Sequence, residues 1–396
     1  MSETPKAPLT VRWLPDLSQV DRSAWDRLAR PLATPFLEYD WLRILERSDS
    51  VSDTAGWLPR HLTIWSGDRL VGAAPLYVKI HSEGEFVFDY PWMEVAHRLR
   101  IAYYPKLLGM TPFTPVPGYR FLVDPAAGEG RVTERMFSEI DRFRLRNNLS
   151  GVHFHFVDPD WRGRLVAAGY TEWVHGGFIW QKGGEASFDD YLARFKSGQR
   201  RNIRRERRAL WKMGITVRIL SGDEIPETLF GTMYRLYART NDKFGPWGCK
   251  YLSRSFFDLA ARRFRHRIAL VVAEREGAGR PVGMAMLVYK GDRLFGRYWG
   301  CFEEVHALHF NVCYYRPIEW AIERGMSSFD PGIGGDHKVR RGFTSVPEYS
   351  FHRFSDERLR WVMTRHIGDV NQLEGDQIER SNRAVPLSAT VREEER

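Results

Sequence analysis

Cysteine is nearly absent: the 396 residues contain three, Cys249, Cys301 and Cys313. An odd number with no CxxC pair excludes a disulfide framework and a zinc knuckle. Long apolar runs are missing as well, and none reaches the ~18–20 residues that cross a bilayer. Residues 1–8, Met1 to Pro8, hold no apolar signal core, so a cytoplasmic location is expected. The pair His306 and His309 has no acidic companion at metal-ligand spacing, so neither a metal nor a tightly bound cofactor is expected. Acid is in deficit: 50 Asp and Glu stand against 59 Lys and Arg, a net charge of +9. That excess suits an anionic partner such as RNA, a phosphorylated small molecule or a membrane surface touched in passing, without choosing among them. Nothing in the sequence sets the oligomeric state.

Aromatic residues are not scarce: 14% of the chain is Phe, Trp or Tyr, which excludes disorder. The length predicts two domains, and an internal match gives their relation. Arg69–Lys79 lies over Arg280–Lys290 with six of eleven positions identical at a constant offset of 211. Each segment follows a short β-rich run, His61–Trp65 or Ile268–Glu274. Each precedes another strand-like run, Glu85–Asp89 or Arg293–Gly300. Helical periodicity lies upstream, at Asp21–Arg30 and Pro35–Arg47, then at Pro226–Asn241 and Leu252–Phe264. Downstream come a helix and a strand ending in Asp-Pro: Val132–Asn147 with Val152–Asp158, and His309–Arg324 with Ser327–Asp330. The order predicts an α/β (α+β) chain of two tandem domains, 8–182 and 186–365, each a mixed, mainly antiparallel sheet flanked by helices. Residues 366–396 read as a polar, loosely attached tail.

Three groups of residues could carry chemistry, all in the second half. Lys196–Lys212 holds eight Lys or Arg in 17 residues, with Glu206 the one acid. As a helix it places Arg200, Arg204 and Arg208 on one line and Arg201 near another. Like charges at this spacing repel, which points to a polyanion as partner. The bland alternative is a charged helix paired with acids elsewhere. Next, Asp330-Pro-Gly-Ile-Gly-Gly-Asp-His-Lys338, with Arg341 beyond it, follows a predicted strand. Gly332, Gly334 and Gly335 permit close backbone approach to an oxyanion or phosphate. His337 or Asp330 could take a proton, and Lys338 or Arg341 could meet negative charge. The bland alternative is a tight turn. Third, Arg297, Tyr298, Trp299 and His309 flank a central strand. Alternation sends Arg297 and Trp299 to one face and Tyr298 to the other, where Tyr298 serves as an acid or packs. His153 and His155, alternating with phenylalanines, read as facing solvent or a partner sheet.

Several phrases then combine. They are Glu83–Asp89, Tyr103–Leu108, Pro112–Gly118, Phe195–Arg207, Phe295–Cys301, Leu308–Phe310, Cys313–Tyr315, Phe329–Gly332, His337-Lys338 and Arg341–Phe343. Together they resemble the FemAB-like "peptidoglycan biosynthesis/recognition" family of the GNAT superfamily. The pattern departs at Asn311, Asp330 and Asp336, where Glu is usual in similar proteins. The resemblance implies tandem GNAT-like domains. It also implies an acyl- or aminoacyltransferase acting on an amine, with aminoacyl-tRNA as donor or, as a second choice, an acyl thioester (acyl-CoA or acyl carrier protein). The segment Cys301–Leu308 lacks the glycines with which ordinary acetyl-CoA enzymes of this superfamily cradle pyrophosphate, and Glu303 and Glu304 would repel it. The competing reading is a non-catalytic protein that recognises a phosphorylated cell-wall precursor or RNA.

Overall fold

A computed structural model describes residues 8–388. The chain forms two compact units: residues 1–175 with 348–374, and residues 176–347 with 375–396. The expected division near residues 183–187 sits instead at 175, and the chain returns to the first unit after 347.

The first unit begins with β1 (Leu9–Leu14), α1 (Arg22–Ala29) and α2 (Tyr39–Arg47). The strands β2 (Trp57–Pro59), β3 (His61–Ser66), β4 (Arg69–Ala74) and β5 (Tyr77–Lys79) follow. After α3 (Tyr90–Arg98) come β6 (Lys106–Gly109), β7 (Leu122–Val123), α4 (Glu129–Arg146), β8 (Gly151–Phe154) and α5 (Arg162–Ala167). One sheet runs β1-β3-β4-β7, antiparallel throughout. Elsewhere in the unit β2, β5 and β6 pair antiparallel, and β6 runs parallel to β8.

Strand β9 (Thr171–Gln181) leads into the second unit, which opens with α6 (Phe188–Ala193) and the basic helix α7 (Ser197–Lys212). Then come β10 (Ile215–Ser221), α8 (Glu227–Asp242), α9 (Arg254–Arg263), β11 (Ile268–Arg275), β12 (Pro281–Lys290) and β13 (Arg293–Cys301). The turn α10 (Leu308–Phe310) continues as a π-helical turn over Asn311–Tyr315 into α11 (Arg316–Glu323). Strands β14 (Ser328–Asp330) and β15 (Thr344–Phe354) and the helix α12 (Glu357–Arg383) complete the chain. Here β10 to β13 are antiparallel, β14 joins β13 in parallel, and β9 pairs β14.

The internal match has a structural counterpart. In β3/β4 the register slips so that Ile64 faces Gly72, and in β11/β12 so that Ala273 faces Gly283. Both glycines stand next to the bulge and 211 residues apart. A Cβ on Gly72 would meet Val132 Cγ1 of α4 at 2.7 Å, and one on Gly283 would meet Leu308 Cδ2 of α10 at 3.1 Å. Each is therefore small because the following helix lies against it. The equivalence stops at Pro75, where the first strand breaks into β4 and β5 while β12 runs on unbroken.

Three expectations need correction. Glu85–Asp89 is not a strand, because Gly84 (φ 78°) and Phe86 (φ 57°) turn the chain and Glu85 points into the interior. His153 and His155 do not face solvent; both are buried, as is His352 on the neighbouring β15. The tail to residue 383 is a helix. Leu359, Met363 and Ile367 recur at one-turn spacing and pack on Trp92 and Ala96. Asn382 further along clasps Ser345 through both its N–H and C=O, at 2.7 and 2.9 Å. The remainder of that segment, 389–396, lies outside the described residues.

Candidate functional site

Strands β13 and β14 pair only from Arg293↔Ser328 to Phe295↔Asp330. Beyond that β14 ends, while β13 runs on to Cys301. A register slip in β12/β13 skips Arg297, with Met286 facing Tyr298 and Leu287 facing Gly296. Arg297 is thus a bulge residue, and simple alternation fails there. The loop leaving β14 folds back over Gly296, whose Cβ, if present, would lie 3.2 Å from Pro331 O.

That loop carries the Asp330–Arg341 group. Asp330 Oδ1 accepts from Gly332 N–H at 2.7 Å. Burial pushes its carboxyl up to about 6, against the Gly332 bond and the nearby Arg297 and Lys338 charges. Lys338 is 2% exposed and donates to Gly332 O at 2.5 Å, closing the loop on itself. Gly332, Gly334 and Gly335 all have positive φ. Gly335 is required outright, since a Cβ there would lie 2.5 Å from His337 Cε1.

His337 is half-buried, with Nε2 2.9 Å from the Tyr314 hydroxyl. Burial, with Arg341 and Lys338 nearby, lowers its pKa, so the ring is neutral at pH 7. The rings of His309 and Phe310 lie 5.5 and 5.7 Å away. The His309 ring lies tilted 4.5 Å from that of Trp299, and burial takes its pKa down to about 3. Lysine, arginine and two histidines thus gather around one turn.

The basic helix is tied to the same turn. Glu206 accepts two bonds from Arg341 Nη2, at 3.1 and 3.0 Å, and another from the Tyr315 hydroxyl. Arg341, 4% exposed, lies 3.3 Å over the Phe310 ring and donates to His337 O at 2.8 Å. Tyr191 caps Arg341 O at 2.8 Å, and Gln199 of α7 donates to Arg340 O at 2.6 Å. Both tyrosines lie in the π turn Asn311–Tyr315. Consecutive helix residues face different sides, so Tyr314 meets His337 and Tyr315 meets Glu206.

Along α7, Arg207 is neutralised by Glu319 and Arg204 leans on Asp189 at 3.5 Å. Arg200, Arg201, Arg208 and Lys212 have no ion-pair partner among the described residues. Arg201, Arg204 and Arg208 are exposed and Arg200 half-exposed.

Of the residues singled out from sequence, Asp330, His337, Lys338, Arg341, His309 and the three glycines come together, and α7 joins them through Glu206. Tyr298 does not join them. Its hydroxyl is buried without a hydrogen-bond partner, and its ring packs on Tyr237 (5.2 Å) of α8 and Phe257 (6.1 Å) of α9. Tyr314, Tyr315 and Glu206 were not singled out, although the Cys313–Tyr315 phrase and the lone acid of the basic run pointed at them.

A model of the family described as FemAB-like, peptidoglycan biosynthesis/recognition, matches residues 16–389. Among solved structures, FemX superposes with a TM-score of 0.53 at 12% identity, covering 87% of this chain and 98% of that one. The C-terminal domain of a putative lysylphosphatidylglycerol synthetase from Agrobacterium fabrum gives 0.52 at 10%, covering 86% and 93%. A conserved protein of unknown function from Bacteroides thetaiotaomicron gives 0.52 at 11%, covering 87% and 100%. No curated protein sequence matches. At such identities the likenesses bear on the fold.

Proposed function

Because this chain belongs to the FemAB-like family of peptidoglycan biosynthesis/recognition proteins, we propose that it transfers an activated acyl or aminoacyl group to an amine of a cell-wall or peptide acceptor. The observation that carries this reading is the buried Glu206–Arg341 pair, which joins a cation-rich helix to the turn bearing His337. A polyanionic donor on Arg200, Arg201 and Arg208 then docks on the element that also fixes the proton acceptor. Those three arginines form no ion pair within the described chain, which supports a phosphate-rich donor such as aminoacyl-tRNA. The Cys301–Leu308 segment supports it against acyl-CoA through its lack of glycine, while the charges of Glu303 and Glu304 are offset by Arg275 and Lys243.

In the proposed step the acceptor amine attacks the ester carbonyl and forms a tetrahedral oxyanion. His337, donating from Nε2 to Tyr314, takes the amine proton on Nδ1 and returns it to the departing oxygen. The Lys338 and Arg341 charges favour the oxyanion electrostatically, while Asp330, titrating near 6, tunes the potential. The Gly332 amide is committed to Asp330, so it is not among the oxyanion donors.

The second reading, a binding protein without catalysis, is favoured by two details. Lys338 is committed to Gly332 O, and Tyr298 lies in a separate aromatic cluster. Calorimetry with charged tRNA and acetyl-CoA, followed by single-turnover transfer with wild type and His337→Ala, separates the two. Tight acetyl-CoA binding without tRNA affinity would sink the donor assignment. Donor binding with no transfer to any amine offered would leave the binding protein standing.

A further inference from the structure

The interior of the first unit is polar where a core is ordinarily apolar. Lys106, Glu85 and Asp89 are 1%, 0% and 2% exposed. Lys106 Nζ donates to Ser82 Oγ (2.8 Å), Glu85 Oε2 (2.8 Å) and Asp89 Oδ2 (2.7 Å), which uses all three of its N–H groups. Tyr103 also donates to Asp89 Oδ2, at 2.9 Å. The other oxygen of each acid, Glu85 Oε1 and Asp89 Oδ1, is buried with no hydrogen-bond partner among the described residues. His155, 1% exposed and 3.8 Å from Glu85 Oε2, has no partner at either ring nitrogen. His153, beside it, bonds His352 at 2.8 Å and leaves its own Nε2 unpartnered. Buried polar atoms are almost always satisfied, so a cluster of unsatisfied ones calls for a ligand or water.

We propose that this interior is a binding site for a primary ammonium group, held by Glu85 Oε1, Asp89 Oδ1 and one ring nitrogen of His155. The charge argument comes first. Two carboxylates meet one fully engaged lysine, so one negative charge remains when both are ionised; burial raises the Glu85 carboxyl, and a bound cation would hold it ionised. The next lysine, Lys79, is turned away, its ammonium 3.7 Å over the Trp57 ring and bonded to Glu83 O. Burial also lowers Lys79 to about 7, so it cannot supply a constant positive charge. The hydrogen-bond argument agrees, because a primary ammonium brings three donors, and Glu85 Oε1, Asp89 Oδ1 and His155 are buried acceptors left without a partner among the described residues. A quaternary ammonium brings none. The Tyr103 and Tyr104 rings, 5.3 and 5.4 Å from Lys106 Nζ, add faces that suit positive charge.

Both acids ride on the segment between β5 and α3, whose Ile80 and Phe88 are exposed, so entry requires that segment to move. The phrases Glu83–Asp89 and Tyr103–Leu108, which the transfer reaction leaves unused, supply every charged side chain of the site apart from the histidines.

The test uses the full chain with 15N-labelled histidine and needs no assumption about transfer. Methylammonium chloride is titrated at pH 7.5, with tetramethylammonium chloride and sodium chloride at equal ionic strength as controls. The expected result is a saturable shift of histidine ring nitrogens with methylammonium alone, weakened at least about tenfold in Glu85→Gln. No saturable shift would overturn the proposal and leave only internal water. So would an equal response to tetramethylammonium, or undiminished affinity in a folded Glu85→Gln chain. The comparison of ions on the wild type decides the matter by itself if that variant fails to fold.

Discussion

The two units share a hairpin, a bulge and a glycine, yet they treat the same Asp-Pro ending differently. Asp158 lies four residues beyond β8, accepts Asp160 N–H at 3.0 Å and caps a short helical turn, with Arg120 3.7 Å away. Asp330 ends its strand with the same local bond, to Gly332, but lies buried beside Arg297 and Lys338. One is a turn and the other part of a candidate site. What separates them is the chain that follows: Pro-Asp-Trp enters a helix, whereas Pro-Gly-Ile-Gly-Gly folds back and brings up a histidine, a lysine and an arginine. The units also handle charge differently. The first shuts Lys106, Glu85 and Asp89 away from water, whereas the second buries Lys338 and Arg341 beside a half-buried His337 and keeps further cations exposed along α7. A duplicated frame thus constrains the hairpin and leaves the chemistry to the loops.

The sharpest way to break that contrast is to remove one charge from each unit. Lys106→Met should cost about 3–5 kcal/mol, because it leaves two buried carboxylates without their cation. Urea unfolding would show it, and a cost below about 1 kcal/mol would mean that the network is already hydrated. In the second unit His337→Ala should leave folding nearly unchanged and slow single-turnover transfer by about 10²–10⁴-fold. Full activity would reduce the glycine-rich turn to a turn.

Acid should separate the units next. Burial holds His153, His155 and His352 well below the usual 6.5, so they stay neutral when folded. Below pH ~6.5 the unfolded chain takes up protons that the folded one refuses, so stability falls as pH falls. The loss approaches about 1.4 kcal/mol per pH unit for each such histidine. His309 acts in the same direction, with its folded value near 3. Asp330 acts oppositely: its raised value favours the folded state in acid, and that contribution fades as pH rises through about 6. Thermal melts from pH 7.5 to 5 should show the first unit lost before the second, and simultaneous loss would count against the buried-histidine account.

The shared glycines sharpen the likeness itself. Gly72→Ala drives a Cβ to 2.7 Å from Val132, whereas Gly283→Ala meets nothing closer than 3.1 Å. The first should cost roughly 1–3 kcal/mol and the second less, as read by denaturant midpoints. Smallest is the salt effect. Arg208→Gln should lower the salt slope of RNA binding by about 0.7 for each phosphate the side chain no longer neutralises. Arg204→Gln should do less, because Asp189 already shares its charge.

The sequence by itself determined what periodicity and repetition encode. The helices of both halves, the paired hairpins and the basic helix stand where their spacing put them, because amphipathic burial and turn chemistry are local. The offset of 211 placed Gly72 and Gly283 in equivalent registers. The segment 366–396 shows one member of the apolar stripe, Ile367, because Leu359 and Met363 lie before it, and the surrounding polarity hides the helix that joins them. The tertiary structure alone decided which side chains meet. Glu206 is one acid among eight bases until folding brings Arg341, 135 residues away, onto it. Tyr298 sits two residues from Gly300 on a strand chosen for chemistry, yet the bulge at Arg297 and the packing of α8 and α9 give it to an aromatic cluster. His153 and His155 alternate as surface residues would, but both are buried, with Phe354 5.2 Å from the His153 ring and His352 5.5 Å from that of His155. Long-range pairing decides burial, and burial decides whether a histidine is a solvated base, a neutral acceptor or part of a polar interior.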